Sequence, residues 1–180
     1  MISDRHLGVG CDQVLIMYPA KNSGDIYLRM LNSDGTETGA CGNGTRCVAS
    51  VLLSELNTDI VHIETVSGML RAFRNGDMIA VDMGPAYFMP KDIPFNSSEL
   101  YLDDLLFVPF PEIIAETATL ISMGNPHAVF FVSDCEVVDI ERIGPLIEHH
   151  SYFPDGTNVE FVQQLSKSRL RMRVWERGVG

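Results

Sequence analysis

The chain has 180 residues, a formal net charge of −11 and 46% hydrophobic residues, which is enough apolar material for one packed domain or two small ones. The acidic charge argues against a surface for nucleic acid or an anionic membrane, because such surfaces need clustered Lys and Arg. No apolar run reaches the roughly 18 residues that span a bilayer, and residues 1–5 do not form a signal-peptide pattern.

The first half predicts short strands around one helix. Residues 3–7 are typical of the last turn of a helix. Residues 46–56 carry apolar side chains at helical spacing with little polar face, which predicts a buried helix with Cys47 in the core. Asn75-Gly76 is typical of a hairpin turn. The predicted strands are 13–18, 25–31, 60–65, 68–74 and 78–83.

Prolines 85, 90 and 94 mark a change of element, and we place a domain boundary there, between residues 1–88 and 89–180. The second half predicts a helix over 139–149, interrupted by a Gly-Pro pair. Its predicted strands are 119–123, 128–132, 158–165 and 169–175. There is no βαβ alternation. We therefore predict an α+β fold in which mostly antiparallel sheets curl around a central helix in each half.

The two halves resemble each other in sequence. Residues 10–13 and residues 155–158 each precede a strand, a polar turn and a second strand, and Gly35 then corresponds to about Gly180. The first half continues to Cys41 and its helix. We expect a duplicated, pseudo-symmetric architecture to supply a second cysteine just beyond Gly180, so that the second half of this chain is incomplete.

Cys41 is the centre of the first half. It lies in a glycine-bracketed stretch, residues 40–47, that opens into the apolar helix. A helix N-terminus favours anions, which stabilises a thiolate, and Gly42 and Gly44 allow a ligand carboxylate to approach the backbone N–H groups. On these residues alone, a core cysteine beside a glycine-rich turn is an equally good interpretation. The other cysteines, at 11, 47 and 135, form no zinc or disulfide pattern, which favours free thiols in a reducing cytoplasm.

Several stretches together resemble the diaminopimelate epimerase family, the pyridoxal-independent amino-acid epimerases of lysine and peptidoglycan precursor biosynthesis. The matching stretches follow the family's order along the chain: RHLGVGCDQ (5–13), LNSDGTE (31–37), ACGNGTRC (40–47), SMGNPH (122–127) and ERGVG (176–180). The family's N-terminal strand is missing before Met1, and its second active-site cysteine would follow Gly180. We therefore expect an internal fragment of the enzyme that gives no epimerisation by itself, although a lone thiolate can still exchange the α-proton with solvent.

The resemblance implies inversion of the α-carbon of LL-diaminopimelate to the meso isomer by two opposed thiols, one a thiolate and one a thiol, with no cofactor and no metal. Cys41 would be one of this acid–base pair, and Gly42 and Asn43 would bind the substrate carboxylate. His127 and Glu176 would adjust the acidity of the thiols, and the resemblance leaves a homodimer open. The remaining substrate-binding residues that it implies are Gln13, Asn32, Asn125, Asn158, Glu176, which would accept the α-ammonium, and Arg177, which would pair with a carboxylate.

Each of these polar residues also has an ordinary structural interpretation. Asn32 and Asn125 stand in turn sequences, where asparagine is common. His127 is typical of a strand histidine with satisfied hydrogen bonds, and residues 176–177 read as an adjacent charge pair at a strand end.

Other functions stay open at this point. A proline or hydroxyproline racemase has a similar duplicated fold and paired cysteines, but the asparagines and Arg177 suit a substrate with a second polar end better than a proline ring. Another alternative, from a different functional class, is a non-catalytic module that binds an amino acid. A cysteine hydrolase using Cys41 and His127 is weaker, because the spacing matches no hydrolase motif.

Overall fold

The computed structural model describes residues 2–96, 107–111 and 113–178 and divides the chain into two compact units, Met1–Pro85 and Ala86–Gly180. Helices and strands are present in both units, which confirms the predicted α+β class. Gly180, where the predicted repeat ends, lies outside the described residues.

Unit 1 is a mixed sheet with one helix packed against it. Its elements are β1 (Gln13–Pro19), β2 (Ile26–Asn32), β3 (Glu37–Thr38), α1 (Gly42–Glu55), β4 (Ile60–Thr65), β5 (Gly68–Asn75) and β6 (Met78–Asp82). The sheet order is β1–β2–β4–β5–β6, with β3 paired to β2. Strands β2 and β4 run parallel, while the other described pairs are antiparallel.

One face of α1 forms the core of this unit. Val48, Ala49, Leu52 and Leu53 are buried against apolar residues of β2, β4 and β5. Cys47 and Val51 are exposed, so the prediction that Cys47 belongs to the core was wrong. The helix is apolar on most of its surface, and its sequence therefore did not distinguish the buried face from the exposed one.

The N-terminal segment also differs from its prediction. Residues 2–9 form turns rather than the end of a regular helix. The Asp4 side chain accepts the backbone N–H groups of His6 and Leu7, both at 2.8 Å, and the N–H of Gly8 donates to the carbonyl of Asp4. A single helical turn capped by Asp4 accounts for the helix-like pattern.

The loop between β1 and β2 is fastened by a buried carboxylate. Glu64 of β4, which is 5% exposed, accepts backbone hydrogen bonds from Gly24 (2.9 Å), Lys21 (2.8 Å) and Asn22 (2.8 Å). These bonds, that from Gly24 first, hold the pKa of Glu64 below its ordinary value. A Cβ at position 24 would lie 2.7 Å from Glu64 Cγ, so glycine is required for the close approach.

Unit 2 has a second sheet. Its elements are a 3-10 turn (Pro90–Asp92), β7 (Phe107–Phe110), β8 (Ile114–Ser122), β9 (Pro126–Phe131), α2 (Ile140–Glu148), β10 (Asn158–Ser166) and β11 (Arg169–Trp175). The sheet order is β11–β10–β9–β8–β7, in which β9 and β10 are parallel and the other described pairs are antiparallel. The strand β7 was not predicted from sequence. The core of this unit contains Phe130, Phe161 and Ile147, all at 0% exposure.

The helix α2 continues through its Gly-Pro pair instead of breaking there. Asp139 caps it by accepting the N–H of Arg142 at 3.3 Å. A Cβ at Gly144 would lie 2.5 Å from Trp175 Cγ, so the helix backbone packs directly on the indole of β11. Gly144 therefore sets the distance between α2 and the strand that leads to Glu176 and Arg177.

Candidate functional site

Cys41 is the N-cap of α1, as the sequence predicts for a residue just before the helix. Its backbone is extended (φ −152°, ψ 96°), and its Sγ accepts the N–H of Gly44 at 3.3 Å. Its carbonyl accepts both the N–H and the hydroxyl of Thr45, at 2.9 Å and 2.8 Å. The first N–H groups of a helix have no carbonyl one turn earlier to bind, so this end offers donors to a negatively charged group. The local geometry therefore places the sulfur of Cys41 beside the backbone N–H groups that begin the helix.

The sulfur lies between this helix end and the apolar core of unit 1. Cys41 is half-buried and packs against the core together with Leu15 and Met83. A Cβ at Gly44 would lie 3.0 Å from Leu15 Cδ1 and 3.3 Å from Cys41 Sγ, whereas a Cβ at Gly42 would meet Met83 Sδ at 3.7 Å. Gly44 is thus the glycine whose missing side chain makes room for the thiol.

Gln13 and Asn32 lie opposite each other at the open end of the β1–β2 hairpin. Asn32 Oδ1 accepts Gln13 Nε2 at 3.1 Å, and Asn32 Nδ2 donates to Thr36 Oγ1 at 3.1 Å. The Thr36 hydroxyl donates in turn to Asp34 Oδ1 at 2.6 Å. Hydrogen bonds from the Thr36 side chain and backbone hold the pKa of Asp34 below its ordinary value, so Asp34 acts as an acceptor. This order fixes the donor and the acceptor of each bond along the chain, and the carbonyl oxygen of Gln13 takes no part in these bonds.

Asn43 is placed differently from these two. It is exposed on the first turn of α1, and its side-chain oxygen accepts the guanidinium of Arg46. Its backbone N–H, rather than its side chain, belongs to the donor group at the helix end.

In unit 2, Asn158 and Arg177 are brought together. Asn158 is 8% exposed; its Nδ2 donates to the carbonyl of Pro126 at 3.1 Å, and its Oδ1 accepts the backbone N–H of Arg177 at 3.0 Å. Arg177 is half-buried, and its Nη1 donates to the carbonyl of Asp155 at 3.3 Å. Asn158 therefore anchors the backbone that carries the guanidinium. Glu176, the neighbouring candidate, is exposed.

Asn125, His127 and Glu160 form a second group in the same unit. His127 Nδ1 is 2.6 Å from Glu160 Oε1, and His127 Nε2 is 3.0 Å from Asn125 Oδ1. The parallel pairing of β9 and β10 sets Asn158 opposite His127, which places this group next to the Asn158–Arg177 pair.

Comparison with known proteins decides what kind of chain this is. A family model described as diaminopimelate epimerase matches residues 1–89 and 119–180. A protein named diaminopimelate epimerase from Rhodospirillum centenum is 46% identical over 181 residues, covering 99% of this chain and 61% of that protein. Another of the same name, from Acetivibrio thermocellus, is 37% identical over 187 residues, covering 99% of this chain and 65% of that protein.

The chain belongs to the diaminopimelate epimerase family. It spans less than two thirds of the length of these curated relatives.

Solved structures share the fold at low identity. A probable proline racemase from Agrobacterium radiobacter K84 matches with a TM-score of 0.58 and 18% identity, covering 92% of this chain and 54% of that one. A PhzF-family protein from Bacillus anthracis matches with a TM-score of 0.55 and 17% identity, covering 93% of this chain and 58% of that one. These likenesses place the family's α+β fold among racemase and PhzF structures and carry no information about substrate.

Two buried carboxylates of this diaminopimelate epimerase family member were not found by sequence reasoning. Glu160 is 6% exposed and contacts His127. Glu148, at 4% exposure, accepts the Trp175 indole N–H at 2.7 Å and the backbone N–H of Gly178 at 2.9 Å, so it fastens the segment that contains Arg177. For Glu160 a signal was present, because it interrupts the apolar run of a strand beginning with a candidate site residue.

Among the described residues, no group of three or more His, Cys, Asp and Glu side chains is arranged to hold a metal ion. In the part of the chain that the structure describes, no helix is both long and apolar enough to cross a membrane.

Proposed function

We propose that Cys41 is one of the two acid–base groups with which a diaminopimelate epimerase interconverts LL- and meso-diaminopimelate without pyridoxal phosphate. The observation that carries the proposal is the position of Cys41: its sulfur accepts a backbone N–H at the N-terminus of a 14-residue helix. Family membership supports the substrate, since relatives that are 46% and 37% identical to this chain are named diaminopimelate epimerases.

The chemistry assigned to Cys41 is proton transfer at the α-carbon. The thiolate removes the α-proton; the Cα–H bond breaks, an S–H bond forms, and the electron pair stays on the α-carbon in conjugation with the carboxylate. N–H groups of Gly42 and Asn43, fixed by the helix, stabilise the charge that develops on the carboxylate oxygens. A second acid then returns a proton to the opposite face of the carbon, which inverts its configuration.

The remaining candidates recognise the polar ends of the substrate. Arg177 pairs with a carboxylate, and its half-buried position with a backbone anchored by Asn158 supports a fixed, directional contact. Asn125 and Asn158 contribute amide hydrogen bonds to substrate oxygens.

Other groups complete the recognition of the substrate. Gln13 and Asn32 bind through the hairpin end, where the carbonyl of Gln13 suits an ammonium group. Glu176 accepts the α-ammonium. His127 and Glu176 adjust the acidity of the thiols.

In this proposal the two parts of the chain have different tasks. Residues 1–88 supply the acid–base cysteine and half of the proposed substrate-binding residues, which are Gln13, Asn32, Gly42 and Asn43. Residues 89–180 supply the other half, which are Asn125, Asn158, Glu176 and Arg177. The product serves lysine and peptidoglycan precursor synthesis in the cytoplasm. The four free cysteines are consistent with that reducing compartment.

A substrate panel tests the proposal. The purified protein is incubated in D2O with LL-diaminopimelate, L-proline and trans-4-hydroxy-L-proline, and α-deuterium is followed by mass spectrometry and NMR. We expect deuterium at the α-carbon of diaminopimelate alone. Exchange into proline or hydroxyproline at an equal rate would contradict the substrate assignment.

A further inference from the structure

Glu160 is a buried carboxylate whose role is not explained by the fold or by the proposed mechanism. It is 6% exposed, and its Oε1 lies 2.6 Å from His127 Nδ1. Its other oxygen, Oε2, has no hydrogen-bond partner among the residues that the structure describes. A buried carboxylate with one partner is costly unless that partner brings a proton or a positive charge. The bond to His127 must therefore provide most of the stabilisation.

The partner of the second ring nitrogen of His127 determines where the ring hydrogens lie. His127 Nε2 faces Asn125 Oδ1 at 3.0 Å, and a carbonyl oxygen only accepts. Both ring nitrogens thus face oxygen acceptors. The two bonds form together when Nε2 carries a hydrogen and one further proton lies in the bond between Nδ1 and Glu160. This holds whether that shared proton is closer to the imidazole or to the carboxylate.

The two strand positions that pair directly with His127 carry no charge. The residues paired with His127 on the adjacent strands are Ile121 of β8 and Asn158 of β10, which are uncharged. Glu160 is the charged side chain in contact with the ring.

We propose that Glu160 is a positioning residue that acts through His127 to orient the side-chain amide of Asn125. The Nε2–H of His127 holds the Asn125 carbonyl toward the ring, which leaves Asn125 Nδ2 to donate. Within the described part of the chain, the structure gives Asn125 Nδ2 no protein acceptor. The relay of Glu160, His127 and Asn125 therefore selects an oxygen acceptor, a carboxylate of the substrate, over an ammonium group. The identity of that ligand as diaminopimelate rests on the proposed function; the orientation of the amide does not.

The first test is independent of the substrate. Imidazole 1H–15N correlations are recorded on the 15N-labelled protein, with the His127 signals assigned by their loss in His127→Gln. We expect a hydrogen on Nε2 in the wild type near neutral pH, and an ordinary mixture of tautomers in Glu160→Met, which has a side chain of similar length without acceptors. Glu136→Gln, at an exposed carboxylate paired with Arg171, is the matched control and should leave the His127 signals unchanged. A wild-type Nε2 without hydrogen would overturn the proposal, even if Glu160→Met failed to fold.

The second test measures the affinity for LL-diaminopimelate by calorimetry. Glu160→Met removes the orienting carboxylate, and Asn125→Asp keeps an acceptor for His127 but loses the donor to the substrate. We expect each variant to bind about tenfold or more weakly, as for loss of a hydrogen bond to a charged group. The double variant should bind no more weakly than the worse single variant, because both act on one contact.

The melting temperature of Glu160→Met should fall, because removing one partner of a buried pair leaves His127 Nδ1 without its hydrogen bond. The affinities are therefore compared at a temperature at which every variant is folded. Additive losses in the double variant would overturn the relay. A wild type that binds no diaminopimelate would instead refute the proposed function, and the NMR result would still decide the orientation of Asn125.

Discussion

Replacing Gly44 by alanine places a methyl group between Leu15 and the sulfur of Cys41. The new Cβ would lie 3.0 Å and 3.1 Å from the two Leu15 methyl carbons and 3.3 Å from Cys41 Sγ. Alanine is favoured over glycine in a helix by about 1 kcal/mol, whereas forcing a methyl group into a packed site costs about 1–3 kcal/mol. We therefore expect a net loss of about 0–2 kcal/mol in unfolding free energy, and a protein that still folds.

In Gly44→Ala, the reactivity of the Cys41 thiol should change more clearly than the unfolding free energy. Displacing Cys41 lengthens the Gly44 N–H···Sγ bond, now 3.3 Å, and a bond of this kind contributes about 0.5–1.5 kcal/mol. The alkylation rate of Cys41 by iodoacetamide, followed by peptide mass spectrometry, should fall about two- to tenfold. Cys47 is exposed on the same helix and serves as an internal reference whose rate should not change.

Gly42→Ala is the matched control for packing, because its Cβ would meet only Met83 Sδ at an ordinary 3.7 Å. If Cys41 is alkylated as fast in Gly44→Ala as in the wild type, then neither the packing around the sulfur nor the N–H bond from Gly44 controls the reactivity of the Cys41 thiol.

Three further predictions concern other parts of the molecule. Thr36→Val breaks the hydrogen-bond chain from Asp34 to Gln13 and should weaken LL-diaminopimelate binding by up to about tenfold in calorimetry, while Thr36→Ser should restore it; equal losses in both would show that the hydroxyl is not responsible. Gly144→Ala sets a Cβ 2.5 Å from Trp175 and should lower the unfolding free energy by about 1–3 kcal/mol in urea, and an unchanged midpoint would contradict the packing of α2 on β11. Glu64 has a lowered pKa in the folded state, so its stabilisation is present above its ordinary pKa of 4.5 and is lost as the pH falls through the lower folded value. In Glu64→Gln the acid loss of stability should be shallower than in the wild type or in the exposed control Glu55→Gln, and identical acid profiles would refute this role.

Local sequence signals predicted most of the regular structure. Residues 60–65 and 169–175 were predicted as strands with the bounds that the structure has, because alternating or β-branched side chains bounded by turns specify a strand locally. The strand β7 has Pro109 within it and gave no such signal. The helix α1 begins four residues before its prediction, since the glycines of its first turn have low helix propensity and are held by the Cys41 cap instead.

The candidate site was predictable to the extent that it depends on chain neighbours. Cys41 at a helix N-terminus follows from the residues around it. The hydrogen-bond partners do not: Glu160 meets His127 across two parallel strands, 33 residues apart in sequence, and Glu148 reaches Trp175 from another element. Such contacts depend on register and on helix packing, which a single sequence does not specify.

Dependence of α-proton exchange on Cys41 is the most direct test of the proposed function. LL-diaminopimelate is incubated in D2O with the wild-type protein, with Cys41→Ala and with the control Cys47→Ala, whose thiol is exposed on α1 outside the proposed site. We predict deuterium at the α-carbon with the wild type and with Cys47→Ala, and no exchange above the uncatalysed rate with Cys41→Ala. Equal exchange in all three proteins, or none in the wild type, would contradict the assignment of Cys41 as the acid–base group.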